Sequence, residues 1–173
     1  NIAIGYQSLL NNTVSNNISI GTDALAANTT GTPNIAIGND ALGANTTGSK
    51  NVAIGYQALL LNTTGRDNTS NGYWSLRDNT TGQNNTTMGI YSLIRNTTGA
   101  FNTSIGSNTM GNNNTGTGNT ALGYGAGNFA TNFAGTNNTF LGRDADATVN
   151  NLTNATAIGY NAQVTASNQV RLG

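Results

Sequence analysis

Cysteine, histidine and glutamate do not occur in this chain of 173 residues. Without cysteine no disulfide can staple the fold, and without cysteine or histidine the usual soft metal ligands are missing. A histidine-based triad and a thiolate nucleophile are excluded for the same reason. Charge is scarce as well: charged residues make up 7% of the chain, with six basic and six acidic side chains and a formal net charge of zero. Lysine occurs once, as Lys50. There is no basic stripe to hold phosphates, so nucleic acid is not expected as a partner. No run is long and apolar enough to span a bilayer, and no signal peptide, lipidation motif or polybasic patch is visible, so direct membrane insertion by this segment is not expected. No catalytic residue, cofactor or metal is assigned, and the chain is not expected to be an enzyme.

What the chain has is a repeat. Glycines at Gly21, Gly38, Gly55, Gly72, Gly89, Gly106 and Gly123 stand 17 residues apart. Gly5 stands 16 before the first of them; Gly142, Gly159 and Gly173 follow the last at steps of 19, 17 and 14. Self-similarity at a short fixed period marks a solenoid. The fold class is therefore all-β: a parallel β-solenoid of about ten coils, roughly 48 Å long at the spacing of neighbouring strands. The whole of 1–173 reads as one repeat domain, with long repeats over 1–142 and divergent, shorter terminal coils over 143–173. The pattern is cut at both ends, so the chain reads as a segment of a longer protein.

Each anchor glycine is preceded by a short strand. Three residues before it stand Ile2, Ile18, Ile35 and Val52, then threonines from Thr69 to Thr156; one residue before it stand Ile4, Ile20, Ile37, Ile54, Met88, Ile105, Leu122, Leu141 and Ile158. These columns share one face, with Ala, Ser or Thr on the other, which reads as a half-buried strand. After the glycine comes a second apolar unit, in which Ala24, Ala41 and Ala58 are each followed by Leu25, Leu42 and Leu59. It is predicted to be a second strand, being too short and too closely bracketed by Asn, Thr and Gly for a helix. If it is extended, adjacent Ala and Leu point to opposite faces, and the leucines form an exposed stripe that invites partner chains. Leu25, Leu42, Leu59, Leu76 and Leu93 are on this basis the candidate residues of an interface between chains; the alternative is that local bending turns them inward.

Asparagine dominates the remainder. An Asn-Thr-Thr-Gly return segment begins at Asn28, Asn45, Asn62, Asn79 and Asn96. A second column, four residues before the anchor, includes Asn34, Asn51, Asn68, Asn85, Asn102 and Asn119. Identical amides stacked about 4.8 Å apart can hydrogen-bond along the axis, so this column is predicted to be a structural ladder. The Asn-x-Thr sequons are glycan acceptors in a glycosylating pathway, but turns and ladders are the stronger reading. Asp23 and Asp40 read as solvated turn residues. Asp144 and Asp146 form at most a loose cation pair, and Gly123 to Gly127 is a phosphate loop only superficially, since no helix follows.

Three places break the pattern. Asn71 replaces the apolar residue before Gly72, and if buried it needs partners. Between Gly125 and Gly135 the Leu and Asn columns fail and Phe129 and Phe133 appear. From Asp144 onward alanines and Val164 replace the earlier units. Tyr6, Tyr56, Tyr73, Tyr124 and Tyr160 follow anchor glycines, where they either stack on sugars or cover the coil edge. Tyr73, Trp74 and Arg77, with Arg66 and Arg95 nearby, are the ligand-contact candidates.

These columns resemble the head domain of trimeric autotransporter adhesins. The last repeat carries the likeness best: Ala157-Ile158-Gly159-Tyr160-Asn161-Ala162-Gln163-Val164-Thr165-Ala166, then Asn168-Gln169-Val170-Arg171-Leu172-Gly173. Its 14-residue glycine spacing is the family's, and the earlier repeats resemble the same unit with three residues added in the outer turn. The resemblance implies a left-handed parallel β-roll with two strands per coil, assembled as a side-by-side homotrimer. It implies an extracellular, cell-surface fibre segment that attaches to host, matrix or other cells through a surface protein or glycan ligand. The alternative is the shaft of a phage tail fibre or similar appendage whose C-terminal chaperone domain is removed. Ice binding by Thr and Asn ladders is disfavoured because the Thr columns are interrupted.

Overall fold

The computed structural model describes residues 1–128 and 133–173, so Phe129 lies outside the described residues. The chain is an all-β parallel solenoid, with no helix among the described residues. The strands are β1 (Ile2–Ile4), β2 (Asn17–Ile20), β3 (Asn34–Ile37), β4 (Asn51–Ile54), β5 (Thr69–Asn71), β6 (Thr86–Met88), β7 (Thr103–Ile105), β8 (Thr120–Leu122), β9 (Thr139–Leu141), β10 (Asp146–Ala147), β11 (Thr156–Ile158), β12 (Gln163–Val164) and β13 (Val170–Leu172). Eleven of them stack in one parallel sheet in the order β1 to β9, then β11 and β13; β10 pairs with β12 in a second, two-stranded sheet. The register is that of the sequence columns: Ile18 opposite Ile35, Ile35 opposite Val52, Val52 opposite Thr69. It survives the 19-residue step, where Leu122 pairs with Leu141.

The glycine makes the corner. Gly55 has φ +130°, and a Cβ there would stand 2.5 Å from the carbonyl oxygen of Gly72 in the next coil. Conformation and close approach both exclude a side chain.

Beyond the corner, the predicted second strand is replaced by turns in the 17-residue coils. In the coil of Gly38 the N–H groups of Ala41, Gly43 and Asn45 donate to the carbonyls of Gly38, Asp40 and Leu42, three turns in succession. The second and fourth residues after the glycine are left-handed: Asp40 and Leu42 at φ 54° and 52°, Gln57 and Leu59 both at 53°. A left-handed non-glycine residue costs about 1–2 kcal/mol. Burying a leucine side chain stabilises by about 1.5–3 kcal/mol, which offsets it. The turns also hydrogen-bond to the next coil, Leu42 N–H to Ala58 O at 3.0 Å and Ala44 N–H to Leu60 O at 3.0 Å.

This bend corrects the interface assignment. Ala and Leu no longer alternate across a strand, and Leu25, Leu42, Leu59, Leu76 and Leu93 are all sealed inside the single chain at 0% exposure. They form the core of the solenoid and cannot contact another subunit. The strand faces differ from expectation in the same way. Its small residues, Ala36, Ala53, Ser70 and Ser104, face inward, and its Ile, Val and Thr columns face out. The interior is narrow and already holds leucine and asparagine, so only a small side chain fits opposite them. Asn71 accordingly lies outside and exposed, and needs no buried partner.

Where the inward pair is Ala36 and Ala41, or Ala53 and Ala58, it is apolar. Where it is hydroxylic, the hydroxyls satisfy one another, as buried polar groups must: Ser75 lies 2.7 Å from Thr87, and Ser92 Oγ donates to Ser104 Oγ at 2.8 Å.

Asparagine completes the interior with two ladders. Backbone N–H groups of Asn51, Asn68, Asn85, Asn102 and Asn119 donate to the Oδ1 atoms of Asn34, Asn51, Asn68, Asn85 and Asn102 at 3.0–3.1 Å. Their Nδ2 atoms also reach return-loop carbonyls such as Gly65 O and Gly82 O at 2.9 Å. In the second ladder Asn45, Asn62, Asn79 and Asn96 each donate Nδ2 to the asparagine before it at 2.8 Å. Asn28, Asn45, Asn62, Asn79 and Asn96 are fully buried, so the sequons they open are closed to modification in the folded chain.

Candidate functional site

Two outward surfaces are candidates for contact, and they lie on different segments of the coil. The first is the strand face. Ile54, Met88, Leu122, Leu141 and Ile158 are 36%, 53%, 45%, 39% and 37% exposed, one above another along the sheet. Ile18, Ile35 and Val52, then Thr69, Thr86, Thr103, Thr120, Thr139 and Thr156, run beside them. No charged residue stands in either column. Scattered exposed apolar residues need no explanation, but a contiguous stripe does.

The second surface is the turn segment around Tyr73, Trp74 and Arg77, and the structure brings these three together. Tyr73 stacks on Tyr56 and on Trp74, with centroids 5.2 Å apart in both pairs. The guanidinium of Arg77 lies over the Trp74 ring at 4.6 Å, and Tyr91 meets both Tyr73 and Trp74 edge to face at 5.9 and 5.7 Å. Trp74 and Tyr91 occupy the left-handed second position after the glycine, at φ 55° and 58°, which sets their rings beside the residue before and the coil above. Tyr73 is thus flanked by rings, and its free surface is its edge. Arg77 is held charged by Asp78, which accepts from Nε at 2.6 Å and from Nη2 at 3.1 Å and raises its pKa above the ordinary value. Arg66 pairs with Asp67 at 3.7 Å and is not drawn into the cluster.

Arg95 does join it. A groove of about 340 Å³ runs along this surface, lined in part by Trp74, Arg77, Tyr91, Arg95 and Asn108. Residue types alone do not reveal the groove, since Asn108 belongs to a column that also holds Gln7, Asp23, Asp40 and Gln57 and reads as an ordinary turn. The signal is the change of size down that column: Gln57, Trp74, Tyr91, Asn108, Gly125.

The other tyrosines divide. Tyr124 and Tyr160 flank Arg143, whose guanidinium lies 5.6 and 5.8 Å from their rings. Tyr6 is largely exposed on the first coil.

Asp144 and Asp146 do not make a cation site. Asp144 accepts from Arg143 Nε at 3.1 Å, and Asp146 accepts from the Ala147 N–H at 2.8 Å. Burial lifts Asp146 to about 7, against the Ala147 hydrogen bond that lowers it and with a smaller push from Asp144. Among the described residues no group of three or more His, Cys, Asp or Glu side chains is placed to hold a metal ion. No helix among them is long and apolar enough to cross a membrane.

No protein-family model, no curated protein and no solved structure matches the chain. What the chain does is therefore read from its own surfaces.

Proposed function

We propose that the chain is a segment of an extracellular attachment fibre: three left-handed rolls packed side by side, strand face to strand face, with their turn faces outward toward a surface protein or glycan on a host, matrix or other cell. The observation that carries this reading is the strand face, a long uncharged column of Ile, Met and Leu, broken at Asn71 and flanked by threonines, that the single chain leaves uncovered. Covering such a stripe is favourable by about 25 cal/mol for each Å² of apolar surface removed from water. The fitting occupants are further copies of the same chain, because identical columns rise at the same step per coil, and a threefold ring closes when one edge of each strand face meets the other edge of the next. The subunit contact is assigned to Ile37, Ile54, Met88, Ile105 and Leu122, in place of the buried leucines. In this reading the segment acts by display and does no chemistry, needs no cofactor and works at a cell surface or on a surface appendage.

Light scattering on the isolated chain tests it. The expected mass is three times 17.7 kDa. Paired substitutions Ile54→Arg and Ile105→Arg, both on the outer face, are expected to reduce that mass to one chain while the circular dichroism of the β-structure is kept. A monomeric mass for the unaltered chain overturns the proposal.

A further inference from the structure

We infer that the groove bounded by Trp74, Tyr91 and Arg95 is a binding site for a sugar that carries a carboxylate group. The inference gives the attachment reading a ligand class and rests on that reading for its place in biology, although the groove lies within one chain.

The groove is a step in the stack. Two neighbouring columns of the turn segment lose bulk together. One runs Trp74, Tyr91, Asn108, Gly125; the other runs Leu60, Arg77, Ile94, Gly111, Asn128. The large residues form a wall, and the small ones leave a space of about 340 Å³ beside it. This lies at the lower end of the range of small-ligand pockets, about 300–1,000 Å³, which suits one or two sugar rings. No lining residue belongs to a strand, so chains packed on the strand face leave the groove open.

Its chemistry is mixed in a way that selects a ligand. Tyr91, Ile94 and the edge of Trp74 offer apolar surface to the C–H face of a sugar ring. Asn108 and Asn128 offer amides, which both donate to and accept from hydroxyls. Arg95 supplies the charge. Arg66, Arg77 and Arg143 each pair with the aspartate that follows them. Arg95 has no carboxylate within 4.0 Å among the described residues; its Nη1 donates to Asn112 Oδ1 at 2.8 Å. A guanidinium has five N–H donors in a planar fork that matches a carboxylate. In a chain with so few charges, an arginine at the mouth of an amide-lined groove is a counter-ion position without its anion. The Trp74 Nε1 in the wall is sealed from water and has no hydrogen-bond acceptor among the described residues. One arginine whose charge is not offset is too little for a polyphosphate backbone, which is recognised through many such contacts.

The test is a titration of the intact chain, followed by Trp74 fluorescence and by the indole N–H resonance. The probes are a hyaluronan tetrasaccharide and 3′-sialyllactose, which separate uronic from sialic acids. A carboxyl-reduced hyaluronan tetrasaccharide and lactose serve as neutral counterparts. At least one acidic probe is expected to saturate both signals and to bind at least tenfold tighter than its neutral counterpart. Arg95→Gln is expected to weaken it about tenfold or more, the usual loss for a charge-assisted hydrogen bond. Gly111→Ile is expected to abolish binding by filling the space. Leu60, Arg77 and Ile94 occupy the equivalent position in earlier coils, so the backbone accepts a side chain there, and the Cβ would meet only the Asn128 amide oxygen, at 2.7 Å. Absence of binding by both acidic probes, equal binding of a neutral counterpart, or unchanged binding in Gly111→Ile overturns the inference. The mass of the same sample is measured in parallel. A trimer that binds neither acidic probe overturns this inference alone, and a monomer that binds one overturns only the trimeric reading.

Discussion

The coils anchored at Gly21 to Gly106 and those from Gly123 onward follow one backbone path around different interiors. In the first group every coil contributes a left-handed aliphatic residue, Leu25, Leu42, Leu59, Leu76, Leu93 or Met110, together with two ladder asparagines. In the coil of Gly123 the left-handed position falls to Gly127, and the lost side chain is replaced from the next strand. Phe140, where other strands carry Ala or Ser, fills the space so closely that a Cβ on Gly127 would lie 3.0 Å from its ring and 3.0 Å from Met110. The return-loop ladder stops at the same level. Asn113 pairs across the coils with Phe133, and its Oδ1 is buried with no donor among the described residues. In the last two long-range turns the fourth residue after the glycine, Asp146 or Gln163, is not left-handed, and there a true second sheet forms between β10 and β12. One backbone angle thus separates the coils of Gly142 and Gly159 from those before them. A leucine bent inward gives a turn and a filled core; an extended residue at that place gives a strand, with Ala147 and Val164 behind it.

Substituting corner glycines sharpens this contrast most. Gly55→Ala pushes a methyl into the Gly72 backbone and is expected to cost more than about 4 kcal/mol, in the range of the most damaging single changes. Gly159→Ala meets the Gly173 oxygen at 3.0 Å and nitrogen at 3.2 Å, tight but without the overlap at Gly55, and adds the strain of φ +121°, so a smaller loss of about 1–3 kcal/mol is expected. Chemical denaturation followed by hydrogen exchange of each region separates the two. A similar loss at both sites would show that packing between coils is equally tight throughout.

The ladders come next. Asn62→Ala leaves a buried acceptor at Asn45 and a buried donor at Asn79, with an expected cost of about 1–3 kcal/mol for each group left unpaired. Asn113→Ala is expected to cost less, because one of its polar atoms already lacks a partner and its bond to Asn96 is long at 3.4 Å. Equal destabilisation of the two variants, read from denaturation midpoints, would remove the distinction between a continuous ladder and its end.

A further contrast is confined to the second region and depends on pH. Asp146 is lifted from an ordinary value of 3.8 to about 7, chiefly by burial. Between these values the folded chain holds a proton that the unfolded chain has released, so stability falls as pH rises through this window and levels off above about 7. Asp146→Asn is expected to flatten that slope and to make the terminal coils more resistant than the parent at pH 8. Hydrogen exchange of β10 and β12 at pH 5 and pH 8 reads this directly. A slope that persists in the variant would assign it to another group.

Much of the fold is legible in the residues. The spacing of the anchor glycines places the corners, the Ile and Thr columns place the strands, and recurrence of Asn at two fixed positions marks where amides stack. Which side of each strand faces inward is not legible, because alternation shows that Ile35 and Ile37 share a face but not which face is enclosed. The size of the enclosed space decides that, and it depends on Leu42 turning inward. Leucine has no local preference for the left-handed region, so its sequence context points to a strand. The bend is stabilised by its burial and by the bonds between coils, both of which exist only in the stack. For the candidate site, Tyr73, Trp74 and Arg77 stand out as residue types. The groove beside them arises from small residues, Asn108 and Gly111, which gain meaning only against the coil below.

The ladders also have a direction. Each return-loop asparagine from Asn28 to Asn79 turns its oxygen toward the coil that follows, and each partner turns its N–H back. Small amide dipoles aligned head to tail add together as those of a helix do. The backbone bonds between coils run both ways and largely cancel, as in any parallel sheet. In a molecule of zero formal net charge each asparagine ladder thus carries its own electrical axis, negative toward the later coils, set against the Thr46, Thr63 and Thr80 hydroxyls, which donate the opposite way into the following coil.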